Sequence, residues 1–187
     1  MKVEIIEVGT SDFRTLAGQV SGIFIEPVKE YFDRLPEYCN RVNCAISNYS
    51  GDMLMYYIPS EIIERENLPN WLRGCNSIDK VHPTILKMDL LRFVKKELVL
   101  VRTIKSIIEE FGVTAIDHLK IDTEGHDLII LNDFLDTCEI KPLIIQFEAN
   151  ELSDQSEQLK TVGRLKALGY DCKPSRSDYF CTLTDFN

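Results

Sequence analysis

No apolar run in this sequence approaches the roughly eighteen residues that crossing a bilayer requires, and the amino-terminal MKVEIIEVG lacks the apolar stretch of a secretory signal. These absences predict a chain that does not insert in a membrane and works in the cytoplasm. Basic clusters are missing too. With 21 Lys and Arg against 30 Asp and Glu the formal net charge is -9, and lysines alternate with acids, so nothing offers a stripe of positive charge to nucleic acid. The six cysteines include no CxxC pair and have no paired histidines nearby. That argues against a zinc site and a secreted disulfide framework, and it predicts free, buried or half-buried thiols in a reducing compartment. There is no GxGxxG triplet, no internal repeat and no low-complexity segment. What remains is a chain of 187 residues, enough for a single domain over 1–187 whose core needs neither disulfide nor metal.

Short β-rich runs alternate with helical patterns. KVEIIEV (2–8), GIFIEP (22–27), RVNCAI (41–46), DHLKID (117–122) and PLIIQFE (142–148) read as parallel strands buried on both faces. Ahead of the fourth, Thr103 is placed to cap a helix carrying Ile104, Ile107, Ile108 and Phe111 on one side, with Gly112 just past its end. Leu128, Leu131 and Leu135 continue helical spacing after the fourth run, and Leu159, Val162, Leu165 and Leu168 after the fifth, until Gly169. This alternation predicts a doubly wound α/β sheet. In the tail, YDCKPSRSDYFCTLT has two strand-like pieces around a Pro-Ser-Arg-Ser turn, close enough that only an antiparallel hairpin joins them. Residues 50–101 are too long for an ordinary connection and hold the only Trp, so they read as an insertion with structure of its own.

Ligands of open α/β sheets bind beyond the carboxyl ends of the strands, so the residues ending each run carry the functional argument. The first ends EVGTSDF: Gly9 allows close backbone approach, Glu7 supplies a carboxylate, and Ser11 or Asp12, after Thr10, suits the cap of a short helix, although an ordinary strand-to-helix turn reads the same way. Pro27 stops the second run where Glu26 emerges, nineteen residues after Glu7, and a carboxylate so placed suits the diol of a ribose. In NCAISNYSG, Asn43 and Ala45 are placed to flank an adenine ring, with Ser47 or Asn48 near its edge and Ile46 a further cofactor contact, and a capped turn ending at Gly51 fits equally well. In LKIDTEGHDLIIL (119–131), alternation puts Lys120 and Asp122 on one face and Leu119 and Ile121 on the other. Asp122 then lies at the mouth of the sheet while Thr123 and Glu124 enter the next helix. Helix capping, worth about 0.3–2 kcal/mol, accounts for the acids but not for a lysine in a central strand.

Together, EVGTSDF, the following IEP, NCAIS and HLKIDTEGHDLIIL resemble the FkbM family of S-adenosylmethionine-dependent methyltransferases through most of residues 3–150, with K-I-D-T-E-G the specific part. The first turn departs from the family, TSDF standing where small residues such as Ala-Asn-x-Gly are usual. The resemblance implies a Rossmann-like, class I methyltransferase sheet, mostly parallel with an antiparallel last strand. It also implies S-adenosyl-L-methionine as cofactor, contacted by the residues of the first three runs and by Asp122, and methyl transfer to a hydroxyl of a sugar or other small molecule.

A neutral hydroxyl attacks poorly, so a base must take its proton; Asp122 and Glu148, ending adjacent strands, are the candidates, with Glu124 beside them and Lys120 orienting or tuning Asp122. His82 in KVHPT is a second candidate base, with a structural role as its alternative. The insertion's Trp71, Arg73, Asn76, Ser77 and His82 offer stacking and hydrogen bonds to a saccharide-like acceptor; the other reading has Trp71 anchoring the insertion to the core or to a second subunit of a homo-oligomer. Asp122, Glu148 and Asn150 suit Mg²⁺ as an alternative. Two rivals stay open: an NAD(P)-binding oxidoreductase, and a degenerate methyltransferase fold kept as a binding module.

Overall fold

In the computed structural model, which describes residues 1–11, 15–150 and 152–184, the chain is a mixed α/β fold with two sheets. Its first half runs β1 (Lys2–Val8), β2 (Gly22–Ile25), α1 (Lys29–Phe32), β3 (Asn40–Val42), β4 (Ala45–Ile46), β5 (Gly51–Tyr57), α2 (Ser60–Arg65), a 3-10 turn (Asn70–Gly74), β6 (Ser77–Ile78) and α3 (Pro83–Lys87). After a second 3-10 turn (Leu91–Phe93) come β7 (Lys95–Arg102), α4 (Ile104–Glu110), β8 (Ala115–Ile121), α5 (Asp127–Thr137), β9 (Ile144–Glu148), α6 (Gln155–Ala167), β10 (Tyr170–Ser175) and β11 (Asp178–Leu183).

The central sheet has seven strands in the order β3-β2-β1-β8-β9-β11-β10. The first five are parallel, and β11 is antiparallel to both its neighbours, which is the hairpin that the helix-free tail requires. Alternation divides the strands' side chains between two faces. Ile6, Ile23, Leu119, Ile121, Ile145 and Phe147 share one apolar cluster with Ile107 of α4, Leu131 and Phe134 of α5 and Leu165 of α6. On the other face Ile5 and Phe24 are covered by Leu16, Ala17, Phe32 and Leu35. Long helices thus line one face only, because the short β1–β2 and β2–β3 connections leave little chain to wind over the other. Thr103 caps α4 by accepting from the Ser106 amide at 3.2 Å, and Gly112 and Gly169 take positive φ where α4 and α6 have ended.

Four local expectations change. The third run splits: β3 stays in the central sheet, while β4 joins the second sheet by pairing with β7, a partner far along the chain. Glu124 lies outside the next helix, at φ +54 in a turn that delays α5 until Asp127. Leu159 is 63% exposed; the buried side of α6 carries Thr161, Val162 and Leu165 instead. Cys172 and Cys181, expected as free thiols, form a disulfide, because the hairpin register sets them directly opposite with Cα atoms 4.0 Å apart. The remaining cysteines are free thiols. Among the described residues no helix is long and apolar enough to cross a membrane.

Residues 51–102 build most of the second sheet, ordered β4-β7-β5-β6. One side of it, with Met53, Met55, Tyr57, Val99 and Val101, packs on Val28 and Tyr31 at the carboxyl end of β2. Ile58, Ile63, Leu72, Ile85 and Leu90 form a separate cluster beside it. The insertion therefore reaches the central sheet at the strand ends where a ligand would sit.

The lysine in the central strand has a partner across the ladder. Lys120 and Glu7 are register neighbours of β8 and β1, and their Nζ and Oε1 atoms are 2.7 Å apart with both side chains almost wholly buried. The second Glu7 oxygen accepts from Thr15 Oγ1 and from the Leu16 amide, each at 2.9 Å. Removing one member of such a pair leaves a buried charge uncompensated, so Lys120→Met should lower the unfolding free energy by about 3–5 kcal/mol, and adding Glu7→Gln should recover much of it. Urea denaturation of the single and double variants checks this; additive losses would mean that the two side chains do not depend on each other.

Candidate functional site

A cavity of about 330 Å³ opens at the carboxyl ends of β1, β2, β8 and β9, roofed by the insertion. Its floor begins at Gly9, whose φ is +80 and where a Cβ would come 2.0 Å from the Asp122 carbonyl oxygen. Only glycine lets the two strand ends approach so closely. Thr10 and Ser11 follow, and both bind Glu26 Oε2, the hydroxyl of Thr10 at 3.2 Å and the amide of Ser11 at 2.7 Å. Glu26 Oε1 accepts from the Val28 amide at 2.8 Å. Burial pushes the Glu26 carboxyl up to about 7, against the lowering by these donors. Pro27, Ala45 and Ile46 continue the wall.

The opposite wall is acidic. Asp122, Glu124 and Glu148 each present an oxygen within 4.8 Å of the others. Burial raises the Asp122 carboxyl, opposed by Lys120, whose Nζ lies 3.7 Å from Oδ2. Burial, reinforced by the charges of Glu124, Asp122 and Asp127, pushes Glu148 up to about 8, and its Oε2 is buried without a hydrogen-bond partner. Asp127, fully buried, ties the two strand ends together: Oδ2 accepts from the Thr123 amide and hydroxyl, and Oδ1 from the Glu148 amide at 3.1 Å. Burial pushes its carboxyl up to about 7.

From the roof, Gly74, Asn76, Ser77 and Ile78 face the cavity, and Asn76 Oδ1 is buried without a partner. Two ties lock roof to floor. Ser11 Oγ donates to the Arg73 carbonyl at 3.3 Å, and His82 meets Glu124 at 3.2 Å. Because His82 Nδ1 accepts from the Thr84 amide, its Nε2 carries the proton and donates to Glu124 Oε2.

Several sequence-predicted residues lie elsewhere. Glu7 is taken up by Lys120, Thr15 and Leu16 and does not line the cavity. Asn43 donates its amide to the Glu26 and Pro27 carbonyls, at 2.8 and 3.1 Å, which sets the turn rather than a ligand edge. Trp71 is half exposed and outside the cavity, and the Arg73 guanidinium pairs with Glu64 at 2.6 Å. His82, with both nitrogens engaged, stands behind Glu124 instead of facing the cavity. Asn150 Oδ1 accepts from the Leu152 amide at 2.8 Å and the residue does not line the cavity, whereas Glu124 stands beside Asp122 and Glu148. Asp12 lies outside the described residues. Sequence reasoning missed His126, which faces the cavity with Nε2 3.0 Å from Ser47 Oγ and is held toward its neutral form by burial. It also missed Asp178, brought in by the hairpin and joined to Gln146 at 2.7 Å. The histidine directly after K-I-D-T-E-G was a usable signal; nothing local marked Asp178.

A family model described as a methyltransferase FkbM domain matches residues 8–172 of the 187. The chain belongs to the FkbM methyltransferase family. No curated protein and no solved structure matches it. The match covers the carboxyl ends of β1, β2, β8 and β9 that line the cavity of this methyltransferase, together with the insertion over it, and stops before Ser177 and Asp178 of the hairpin.

Glu148 makes the stability of the FkbM domain pH-dependent. Its folded value of about 8 lies above the ordinary 4.5, so the stability it contributes is fully present below pH 4.5 and is lost as the pH rises toward 8, where the folded protein must also release the proton. Calorimetry from pH 4.5 to 8 should therefore show a melting temperature that falls with pH in the wild type and falls less in Glu148→Gln. Parallel profiles for the two proteins would remove Glu148 as a cause.

Proposed function

We propose that the protein is an S-adenosyl-L-methionine-dependent O-methyltransferase of class I type, acting on a hydroxyl of a sugar or other small molecule. The observation that carries this reading is the pairing, across one cavity, of a carboxylate-and-glycine wall with an acidic wall that contains an unpartnered buried carboxylate oxygen. Support for the class I arrangement comes from five parallel strands followed by an antiparallel hairpin.

The residues present fit the cofactor. A cavity of about 330 Å³ falls within the range of small-molecule sites. Glu26 would hold the ribose hydroxyls, Gly9 and Thr10 would let the chain lie close to the ligand, and Ala45 and Ile46 would flank the base. When bound, the cofactor supplies an activated methyl group. The chain's own work is to position the acceptor and take its proton. Asp122, the acid next to Lys120, accepts that proton; Glu148, still protonated near neutral pH, donates a hydrogen bond that orients the acceptor; and Glu124 is held for the same purpose by His82. Asn76 Oδ1 receives a further acceptor hydroxyl from the roof side.

S-adenosylhomocysteine, the cofactor product, should raise the melting temperature, and NAD should not; about 2.7 kcal/mol of stabilisation is expected at a hundred-fold excess over Kd. The reverse result would return the protein to the oxidoreductase reading, which the family match does not support, and no shift with either would favour a binding module. Glu26→Ala should weaken S-adenosylhomocysteine binding about 10- to 100-fold by calorimetry; unchanged affinity in the folded variant would remove Glu26 from the site.

Asp122→Asn should retain cofactor binding yet cut methyl transfer from labelled S-adenosyl-L-methionine to a panel of hydroxylated small molecules on the order of 10²-fold. Near-normal transfer would reduce Asp122 to a structural role. A second reading rests on the closeness of the three acids: Asp122, Glu124 and Glu148 would hold Mg²⁺, which would lower the acceptor's pKa. Loss of transfer in chelator and its return with Mg²⁺ would select that version.

A further inference from the structure

The second sheet has an outer face that its own fold does not explain. Strands with one face in the core alternate apolar and polar residues. The inner positions of β5 and β7 are the buried Met53, Met55, Tyr57, Val99 and Val101. On the outer positions, where polar residues are expected, stand Leu54, Leu98 and Leu100, exposed to 42%, 65% and 53%. Leu54 and Leu98 are direct cross-strand partners, with Leu100 and Asp52 paired at one end and Lys96 and Tyr56 at the other. The result is a contiguous leucine patch with a carboxylate at one end and, at the other, an ammonium lying 5.4 Å from the Tyr56 ring centroid. Single exposed leucines are ordinary, whereas an aligned cluster of them on a flat sheet marks a contact surface.

The order of charges selects the occupant. A two-fold axis parallel to the sheet, lying outside its outer face and crossing over the strands at the Leu54–Leu98 pair, turns the Asp52 end of one copy over the Tyr56–Lys96 end of another. The same operation stacks leucine on leucine at the centre. An interface between identical patches must be self-complementary under such an axis, and this one is. We infer that the outer face of the β5–β7 pair is the homodimer interface of this protein, centred on Leu54 and Leu98 and registered by Asp52 against Lys96 of the second copy. The face lies on the side of the sheet away from Met55, which lines the cavity, so dimerisation leaves the proposed methyl-transfer site open.

Light scattering and sedimentation of the purified chain up to about 100 µM should give twice the chain mass. Leu98→Glu should raise the dimer dissociation constant by at least about 30-fold, the effect of a central interface residue, with the melting temperature of the monomer and its response to S-adenosylhomocysteine retained. Asp52→Lys and Lys96→Asp should each weaken the dimer by placing like charges together, and mixing the two variants should restore it, since both contacts in the mixed pair are then attractive. A wild type that is monomeric throughout overturns the inference and leaves the face to a different partner. So does a dimer indifferent to Leu98→Glu and to the charge reversals, which would assemble through another surface.

Discussion

The buried pair between Glu7 and Lys120 sets the terms for the rest of the molecule. Two opposite charges taken out of water hold their place only when close and fully hydrogen-bonded, and Glu7 meets that demand with Lys120, Thr15 and Leu16. The pair lies one residue short of the ends of β1 and β8, and it fixes the segment after β1 against the open face of the sheet. From that anchor the next residues gain their geometry. Gly9 passes against the Asp122 carbonyl, and Asp122 emerges within 3.7 Å of the same lysine. A lysine that looks out of place in a central strand thus serves core and cavity at once.

The cavity belongs to neither sheet alone. Its floor and acidic wall come from strand ends of the central sheet, Ala45 and Ile46 of β4 in the second sheet continue the other wall, and residues 74–78, which arrive with the insertion, form the roof. The His82–Glu124 and Ser11–Arg73 hydrogen bonds tie these parts together. Glu124 needs such a tie, because φ +54 takes it out of the helix where its charge would be stabilised by the dipole and leaves it facing two other acids. Asp127, by gripping both Thr123 and Glu148, keeps those acids converged rather than allowing the strand ends to splay. Much of the acidity of the chain is spread over solvent, but here it is gathered where burial holds part of it protonated.

Strand positions, the cap at Thr103, the antiparallel tail and the lining residues Gly9, Glu26, Asp122 and Glu148 were legible because each depends on local pattern: alternation, helical spacing, or a glycine and an acid at a strand end. Asn43 stayed ambiguous for the same reason, since a polar residue at a strand end serves a ligand or its own turn equally well, and here its amide donates to the Glu26 and Pro27 carbonyls. The roof was half legible. Asn76 and Ser77 lie on the cavity, but of the groups that drew attention the Trp71 ring is half exposed outside it and the Arg73 guanidinium pairs with Glu64.

The sequence by itself determined a mixed α/β chain with acids at the carboxyl ends of its strands, because period-two and period-3.6 patterns and strand-end acids are properties of neighbouring residues. Tertiary structure alone decided what lay far apart along the chain: Lys120 against Glu7, β4 against β7, His82 behind Glu124 and Asp178 at the cavity. Those pairings follow from strand order and register, which arise from the packing of the whole core, and no window of local sequence contains the partner.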